Sequence, residues 1–373
     1  MDQKIITAQN NYEGLDGWLE ANGVRRPLLV CGGSMTSLPD ISAKIAETER
    51  KGTTIVRFSG FHPNPSYESC VAGAEVYRSN HCDAVIAIGG GSAIDVAKCV
   101  KLFSGMEGGG EHGEYLNGPF TGNDVPFLAV PTTAGTGSEA TRYAVIYYGG
   151  RKQSVSSASC IPGTVLLDPG ALKTLPQYQR KATMMDALCH AIESYWSVNS
   201  TAESIEFSKG AIKGVIANMD GYLCNTDDGN AGMLMAAHTA GKAIDITQTT
   251  AGHAMCYKIT GFFKVAHGHA VILCDRVLYS WMADNTDKCI DPRGKAHLTG
   301  VLNGIGRALG CNDAASGTEK LKEIFSSLEL EIPTATERQY EELKTSVNPV
   351  RLKNHPIALD EDTIDQLYRM ILR

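Results

Sequence analysis

Paired cysteines, long apolar runs and excess positive charge are missing from this sequence. Its 11 cysteines form an odd set with no Cys-x-x-Cys pair, which counts against a disulfide framework and a thiolate zinc site and fits reduced thiols in a cytosolic setting. No stretch approaches the roughly 20 consecutive apolar residues of a spanning helix, and the longest runs are strand-sized, as in Asp83-Ala-Val-Ile-Ala-Ile88. The formal net charge is -7, with Lys and Arg spread along the chain. That removes the electrostatic footprint of a nucleic-acid or anionic-membrane binder, and small-molecule chemistry is the expected function class. Met1 to Asn11 is polar and lacks an apolar core and a small-residue cleavage site, so a cytoplasmic location is expected.

Present instead is the composition of a soluble α/β protein, with 43% hydrophobic residues, 20% charged and 39 glycines in 373 residues. That length favours two domains of about 100 to 200 residues each. β-rich runs at 26–31, 53–57, 84–88, 127–130 and 164–168 alternate with helical stretches, the rhythm of a parallel sheet with helices on its faces. After Leu175-Pro176 long helical patterns dominate, at 180–197, 204–223 and 230–244. The change of texture predicts an α/β domain with a parallel sheet over 1–178 and an all-α domain over 179–373. Residues 105–118, which include three consecutive glycines, read as a mobile surface loop.

The run 84–88 ends in Gly89-Gly90-Gly91-Ser92 and passes into the helical Ala93-Ile-Asp-Val-Ala-Lys98. A glycine turn before a helix lets backbone amides approach a pyrophosphate, and the helix dipole favours the anion. Ile94 stands where the last glycine of G-x-G-x-x-G would be, so this turn alone fits a phosphate cradle or a plain tight turn. A second turn, Pro131-Thr-Thr-Ala-Gly-Thr-Gly-Ser-Glu139, follows the run 127–130 and adds hydroxyl and amide donors. Both lie at strand carboxyl ends, where open parallel sheets bind their ligands.

Asp186 and His190 are four residues apart in a helical pattern, so both project from one face of a helix. His253 and His267 flank a stretch broken at Gly261, which sends each in from its own element. One carboxylate and three imidazoles suit a divalent ion such as Fe²⁺ or Zn²⁺ with a position left for substrate.

With these residues the sequence resembles the iron-containing (group III) alcohol dehydrogenase family, relatives of glycerol dehydrogenase and dehydroquinate synthase. The matching motifs are Pro63-Asn-Pro65, Gly89-Gly-Gly-Ser-x-x-Asp95, Pro131-Thr-Thr-x-Gly-Thr-Gly-Ser-Glu139, Asp168-Pro169, Asp186-x-x-x-His190, and His253 with His267-Gly268, spread over nearly the whole chain. The resemblance implies a dinucleotide-binding first domain, a helical metal-binding second domain and an active site in the cleft between them. It implies Asp186, His190, His253 and His267 as metal ligands, with Fe²⁺ the expected ion and Zn²⁺ able to take the same set. It implies Gly89, Gly90, Gly91, Ser92 and Asp95 as the pyrophosphate loop, and Thr132, Thr133, Thr141 and Lys152 as further cofactor contacts. Gly32-Gly33-Ser34 stand where NAD-preferring members tend to carry an aspartate; Gly33 and Ser34 can cradle a 2′-phosphate, so NADPH is expected over NADH.

Many relatives place a proton-relaying histidine four residues after the first histidine of the pair, and Tyr257 stands there. It can donate a proton only if a cation lowers its ordinary pKa of about 10, and walling the pocket is its simpler role. Several stretches resemble phosphonoacetaldehyde reductases, which form 2-hydroxyethylphosphonate; Arg142 and Lys258 would then serve the anionic substrate. Alternatives are a reductase of a neutral small aldehyde or ketone, or a lyase of the dehydroquinate synthase kind. Expected partners are a small aldehyde or alcohol and further copies of the chain, as a homodimer or larger homo-oligomer, with no nucleic acid and no membrane.

Overall fold

A computed structural model describes residues 3–120, 122–347 and 349–373, the side chains of Ser34 and Thr36 excepted. Two units emerge, Met1–Leu175 with Cys224–Leu234, and Pro176–Leu223 with Met235–Arg373. Residues 224–234, which the sequence reading assigns to the second domain, thus cluster with the first unit.

The first unit runs β1 (Lys4–Thr7), α1 (Leu15–Ala21), β2 (Pro27–Cys31), α2 (Pro39–Arg50), β3 (Val56–Phe58), α3 (Tyr67–Ser79), β4 (Ala84–Gly89), α4 (Gly91–Ser104), β5 (Phe127–Pro131), β6 (Tyr143–Tyr148), β7 (Arg151–Ser156) and β8 (Thr164–Leu167). Six strands form one parallel sheet in the order β1-β8-β5-β4-β2-β3. Side chains alternate across it with the strand period of two. Leu28, Val30, Val85 and Ala87 join the core under α3 and α4, while Leu29, Cys31, Ile86 and Ile88 join the core under α1 and α2. Both faces are covered, which is why these strands read as continuous apolar runs.

Strand order sets the ligand site. From β2 the chain moves outward to β3, then crosses to β4 on the opposite side of β2, so its direction reverses between β2 and β4. Parallel α/β sheets open a crevice at such a reversal, beyond the strand carboxyl ends. Cys31 pairs with Ile88 and Gly89 with Pro131 in register, so the loops leaving β2, β4 and β5 emerge side by side.

Two features were absent from the sequence reading. β1 is a four-residue edge strand beside β8, too short and polar-flanked to show as an apolar run. β6 and β7 form an antiparallel hairpin around Gly149 and Gly150, both at positive φ (56° and 74°), as a two-residue turn of the twist-matching kind demands.

The second unit is built from α5 (Gln177–Trp196), α6 (Ala202–Leu223), the later part of α7 (Asp227–Thr247), α8 (Ala251–Phe263), α9 (His267–Asp284), α10 (Lys295–Ala308), α11 (Ala314–Ser327), α12 (Glu337–Lys344), α13 (Pro349–Leu352) and α14 (Glu361–Ile371). α5 packs against α6 and α9, and α8 against α9. Every residue of α5 from Met184 to Trp196 is buried. A helix enclosed on all sides is normally apolar throughout, and this one carries Asp186, His190 and Glu193. Among the described residues no helix is long and apolar enough to cross a membrane.

Candidate metal centre and nucleotide loops

Three helices deliver the predicted ligands. Asp186 and His190 project from one face of α5, His253 sits in the first turn of α8, and His267 is the first residue of α9. One ligand atom each from Asp186, His253 and His267 lies within 4.8 Å of the others. Asp186 Oδ1 is 3.6 Å from His253 Nε2 and 3.7 Å from His267 Nε2. His190 joins from one turn along α5, its ring stacked on His253 with centroids 4.4 Å apart and planes 15° apart.

Asp186 Oδ1 and His253 Nε2 are buried and have no hydrogen-bond partner. Leaving buried polar atoms unpaired costs about 1 to 3 kcal/mol each. Two such atoms converging on one point, with the His267 nitrogen beside them, meet the requirements of a divalent cation, and the nitrogen–oxygen donor set suits Fe²⁺ or Zn²⁺.

Sequence reasoning missed what lies behind His253. Glu193 Oε1 is 2.5 Å from His253 Nδ1 and accepts the His253 backbone N–H at 2.9 Å. Its Oε2 accepts from the Thr250 backbone N–H and from the Thr250 hydroxyl, which itself accepts from Trp196 Nε1–H at 2.7 Å. A carboxylate on the far ring nitrogen fixes the tautomer and raises the basicity of the ligand nitrogen. Burial opposes the charge on Glu193, but His253 and the Thr250 donors outweigh it and bring its pKa down to about 2. Burial likewise opposes protonation of His253, yet Glu193 and Asp186 push it up to about 10. The Asp186 carboxyl is also burdened by burial, and the neighbouring imidazoles, His190 foremost, hold it well below the usual carboxylate range. Asp275, wholly buried near Glu193, is shifted the other way, upward, first by burial and then by Glu193. The spacing signal for Glu193 was available: 186, 190 and 193 form one i, i+4, i+7 stripe.

His267 has its own surroundings. Its Nδ1 is 3.7 Å from Cys256 Sγ, and Tyr257 stacks on its ring, centroids 6.0 Å apart and planes 19° apart. Gly268 permits the approach of α9 to α5: a Cβ there would collide with the Ala182 carbonyl and stand 2.7 Å from Asp186 Cβ. Lys258 has contacts of its own. One residue on from Tyr257, it is rotated about 100° around α8, and its ammonium lies 3.8 Å from a Glu342 carboxylate oxygen and over the Phe262 ring.

In the first unit, Gly89 turns at φ 158°, where a Cβ would stand 2.5 Å from Ala93 Cβ. Gly90 is the N-cap of α4 and supplies no side-chain cap, so the first-turn amides at Gly91 and Ser92 suit an external anion. A Cβ on Gly90 would stand 3.1 Å from Thr133 Oγ1, and one on Gly91 3.0 Å from Thr136 Cγ2. The glycines therefore also let the β4 and β5 loops interleave, and Thr132 N–H bonds the Gly89 carbonyl across them at 3.0 Å.

Asp95, expected among the cofactor contacts, is committed within the loop: Oδ1 accepts from the Ser138 hydroxyl at 2.6 Å and Oδ2 from Val145 N–H at 3.0 Å. Lys98, which sequence reading passed over, is fully buried and donates to Ser138 Oγ, Thr141 Oγ1 and the Tyr143 carbonyl at 3.1, 3.1 and 2.6 Å. Burial pulls its pKa down against the attraction of Asp95. Gly33 begins the 3₁₀ turn after β2, with nothing within 4 Å of a Cβ placed on it; the side chain of Ser34 lies outside the described residues. Lys152 sits half-buried on β7 and Arg142 half-buried just before β6.

Comparison with known proteins covers both units. The chain matches the family model for iron-containing alcohol dehydrogenase over residues 2–169 and that for the C-terminal part of the Fe-containing alcohol dehydrogenase family over 181–372. It is 30% identical over 321 residues to a phosphonoacetaldehyde reductase of Streptomyces viridochromogenes, spanning 82% of this chain and 80% of that one. An NAD-dependent methanol dehydrogenase of Bacillus methanolicus is 31% identical over 256 residues, 67% of this chain and 66% of the relative. In fold, it superposes with TM-score 0.87 on sulfoacetaldehyde reductase from Bifidobacterium kashiwanohense in complex with NAD⁺, at 24% identity and covering 99% of this chain and 96% of the other. Each half of the molecule thus leads independently to one assignment, and the protein belongs to the iron-containing alcohol dehydrogenase family of nicotinamide-dependent oxidoreductases.

Proposed function

We propose that this dehydrogenase reduces phosphonoacetaldehyde to 2-hydroxyethylphosphonate, with a cation held by Asp186, His190, His253 and His267. The observation that carries the metal-dependent reading is the pair of buried, partnerless atoms, Asp186 Oδ1 and His253 Nε2, aimed at one point. The choice of aldehyde is supported by the 30% identity to a phosphonoacetaldehyde reductase across 82% of the chain. When bound, the cation supplies Lewis-acid polarisation of a carbonyl oxygen and the dinucleotide supplies a hydride. Glu193 orients His253 by engaging Nδ1, which turns Nε2 towards the cluster. Tyr257, stacked on His267, would wall the pocket on that side. The balance is one hydride from the dinucleotide to the carbonyl carbon and one proton from water to its oxygen.

For the cofactor the favoured reading is NADPH, because Gly32 and Gly33 bring no carboxylate to the end of β2 and Gly33 has open space beside it for a 2′-phosphate. Gly89 to Ser92 and the Thr132-Thr133 turn would take the pyrophosphate.

A second reading, a neutral small aldehyde as substrate, is favoured by the engagement of Lys258 with Glu342, which leaves Arg142 as the remaining predicted cation for an anionic group. An NADPH-oxidation screen of phosphonoacetaldehyde against uncharged aldehydes of similar length separates them. The phosphonate should give the higher kcat/KM, with NADPH preferred over NADH. Equal or higher kcat/KM for the uncharged aldehydes would replace the first reading by the second.

A further inference from the structure

α9 starts without the usual device for starting a helix. Its N-cap, Ala266, is extended (φ −63°, ψ 154°) and offers no side-chain cap, yet the next residue is the ligand His267, whose side chain is 41% exposed. An uncapped, half-exposed first turn frays, and a ligand there would lose the geometry that a cation requires. Something other than a cap must hold it.

The Ala266 backbone N–H donates to the Tyr178 hydroxyl at 2.8 Å. Tyr178 Oη is 3.1 Å from His269 Nδ1, and His269 Nε2 is 2.8 Å from the Glu331 carbonyl. A carbonyl can only accept, so Nε2 carries the proton; in the neutral ring Nδ1 then accepts, and the tyrosine hydroxyl donates to it while accepting from Ala266. Every donor along this path has an acceptor and the directions agree from end to end. The Tyr178 and His269 rings also meet edge to face, centroids 5.9 Å apart.

Two residues flanking His267 are therefore anchored to α5. Gly268 lies against Ala182 and Asp186 with no room for a Cβ, and Ala266 is tied to Tyr178, the second residue of α5. α5 also carries Asp186 and His190, so one rigid element sets the spacing of the cluster from both sides of His267.

We infer that Tyr178 and His269 are positioning residues that clamp His267 onto the metal site through the Ala266 amide. This inference rests on the metal reading of the cluster given above. Neither side chain is a proposed ligand, and their effect is on how well the cation is held. Loss of such an outer contact typically costs about 10- to 100-fold in metal affinity.

The test is a titration of cation-free protein with Co²⁺ under anaerobic conditions, following visible absorption, with affinity from competition against a chelator. Tyr178→Phe keeps the ring and removes the hydroxyl, and should weaken Co²⁺ binding about 10-fold or more while the cation-free melting temperature holds steady. His269→Leu should match it. The double variant should be no weaker than either single, because the two residues act in one path. His269→Asn, whose amide oxygen can stand in for Nδ1, should recover most of the affinity. Wild-type Co²⁺ affinity and spectrum in Tyr178→Phe would overturn the clamp, as would a loss accompanied by a collapse of the cation-free fold. Failure of the wild-type protein to bind Co²⁺ would instead refute the metal reading beneath it.

Discussion

The two functional regions handle buried polarity in opposite ways. In the first unit, Lys98, Asp95, Ser138 and Thr141 satisfy one another, and the loops they brace would offer a ligand backbone amides and open space. In the second, Asp186 Oδ1 and His253 Nε2 are buried without a hydrogen-bond partner, facing one another at 3.6 Å. A dinucleotide is large and makes many weak contacts, so its site can be complete without it. A cation is a point charge that must replace its hydration shell with ligand atoms, so its site is electrostatically unfinished until it binds.

The sharpest way to break this comparison is Asp186→Ala. The cluster then loses its only carboxylate ligand, and cation content should fall to background. Turnover should drop by roughly a thousandfold, the scale of losing preorganised stabilisation at a reacting oxygen. Metal analysis of the purified variant together with steady-state rates checks both, and a variant that retained metal and rate would show that the four side chains do not form the site.

Lys98→Met attacks the other region. It leaves Asp95 buried without the attraction of its neighbouring cation and takes the donor from Ser138, Thr141 and the Tyr143 carbonyl, and a buried polar group left unpaired costs about 1 to 3 kcal/mol. Thermal unfolding should show the loss, while the metal content of the second unit should be unaffected. Adding Asp95→Asn should return part of the stability, since the uncompensated charge is removed. A single Lys98→Met variant with wild-type stability would mean that the braced-loop description is wrong.

What the sequence made legible follows the same division. Asp186, His190, His253 and His267 were readable because each is a metal-binding type at a helical spacing or beside a break; the structure brings ligand atoms of Asp186, His253 and His267 together and stacks His190 on His253. Glu193 shares their stripe, yet a glutamate on a helix is ordinarily solvated, and only its burial exposes its role. Lys98 was hidden for the same reason. Lys258 was singled out for its neighbour in sequence, but adjacent residues on a helix point about 100° apart. The parallel strands were readable as apolar runs because both sheet faces are covered, whereas edge strand β1 and the β6–β7 hairpin, only partly buried, left no such run.

Glu193→Gln tests the support behind the metal ligands with a smaller expected effect. The amide keeps the shape and can still accept from His253 Nδ1, but the negative charge is gone. Cation affinity should fall about 10- to 100-fold, measured by competition with a chelator. A change below about twofold, well short of that range, would make Glu193 a packing residue.

The mildest prediction uses pH. In the cation-free protein His253 is protonated up to about pH 10, because Glu193 and Asp186 overcome the opposing effect of burial. A cation needs the bare Nε2 and must displace that proton, so apparent affinity should rise about tenfold per pH unit across roughly pH 6.5 to 8.5. Stability responds to pH differently in the two forms. A histidine whose folded pKa lies above its unfolded value stabilises the cation-free fold fully below about pH 6.5 and loses that contribution as pH rises through the folded value. With the cation bound this dependence is absent, so the rise in melting temperature produced by Co²⁺ should grow with pH over the same window. In Glu193→Gln the strongest cause raising His253 is removed and the slope should flatten at lower pH. A melting-temperature shift independent of pH in the wild-type protein would mean that no proton leaves His253 when the cation enters.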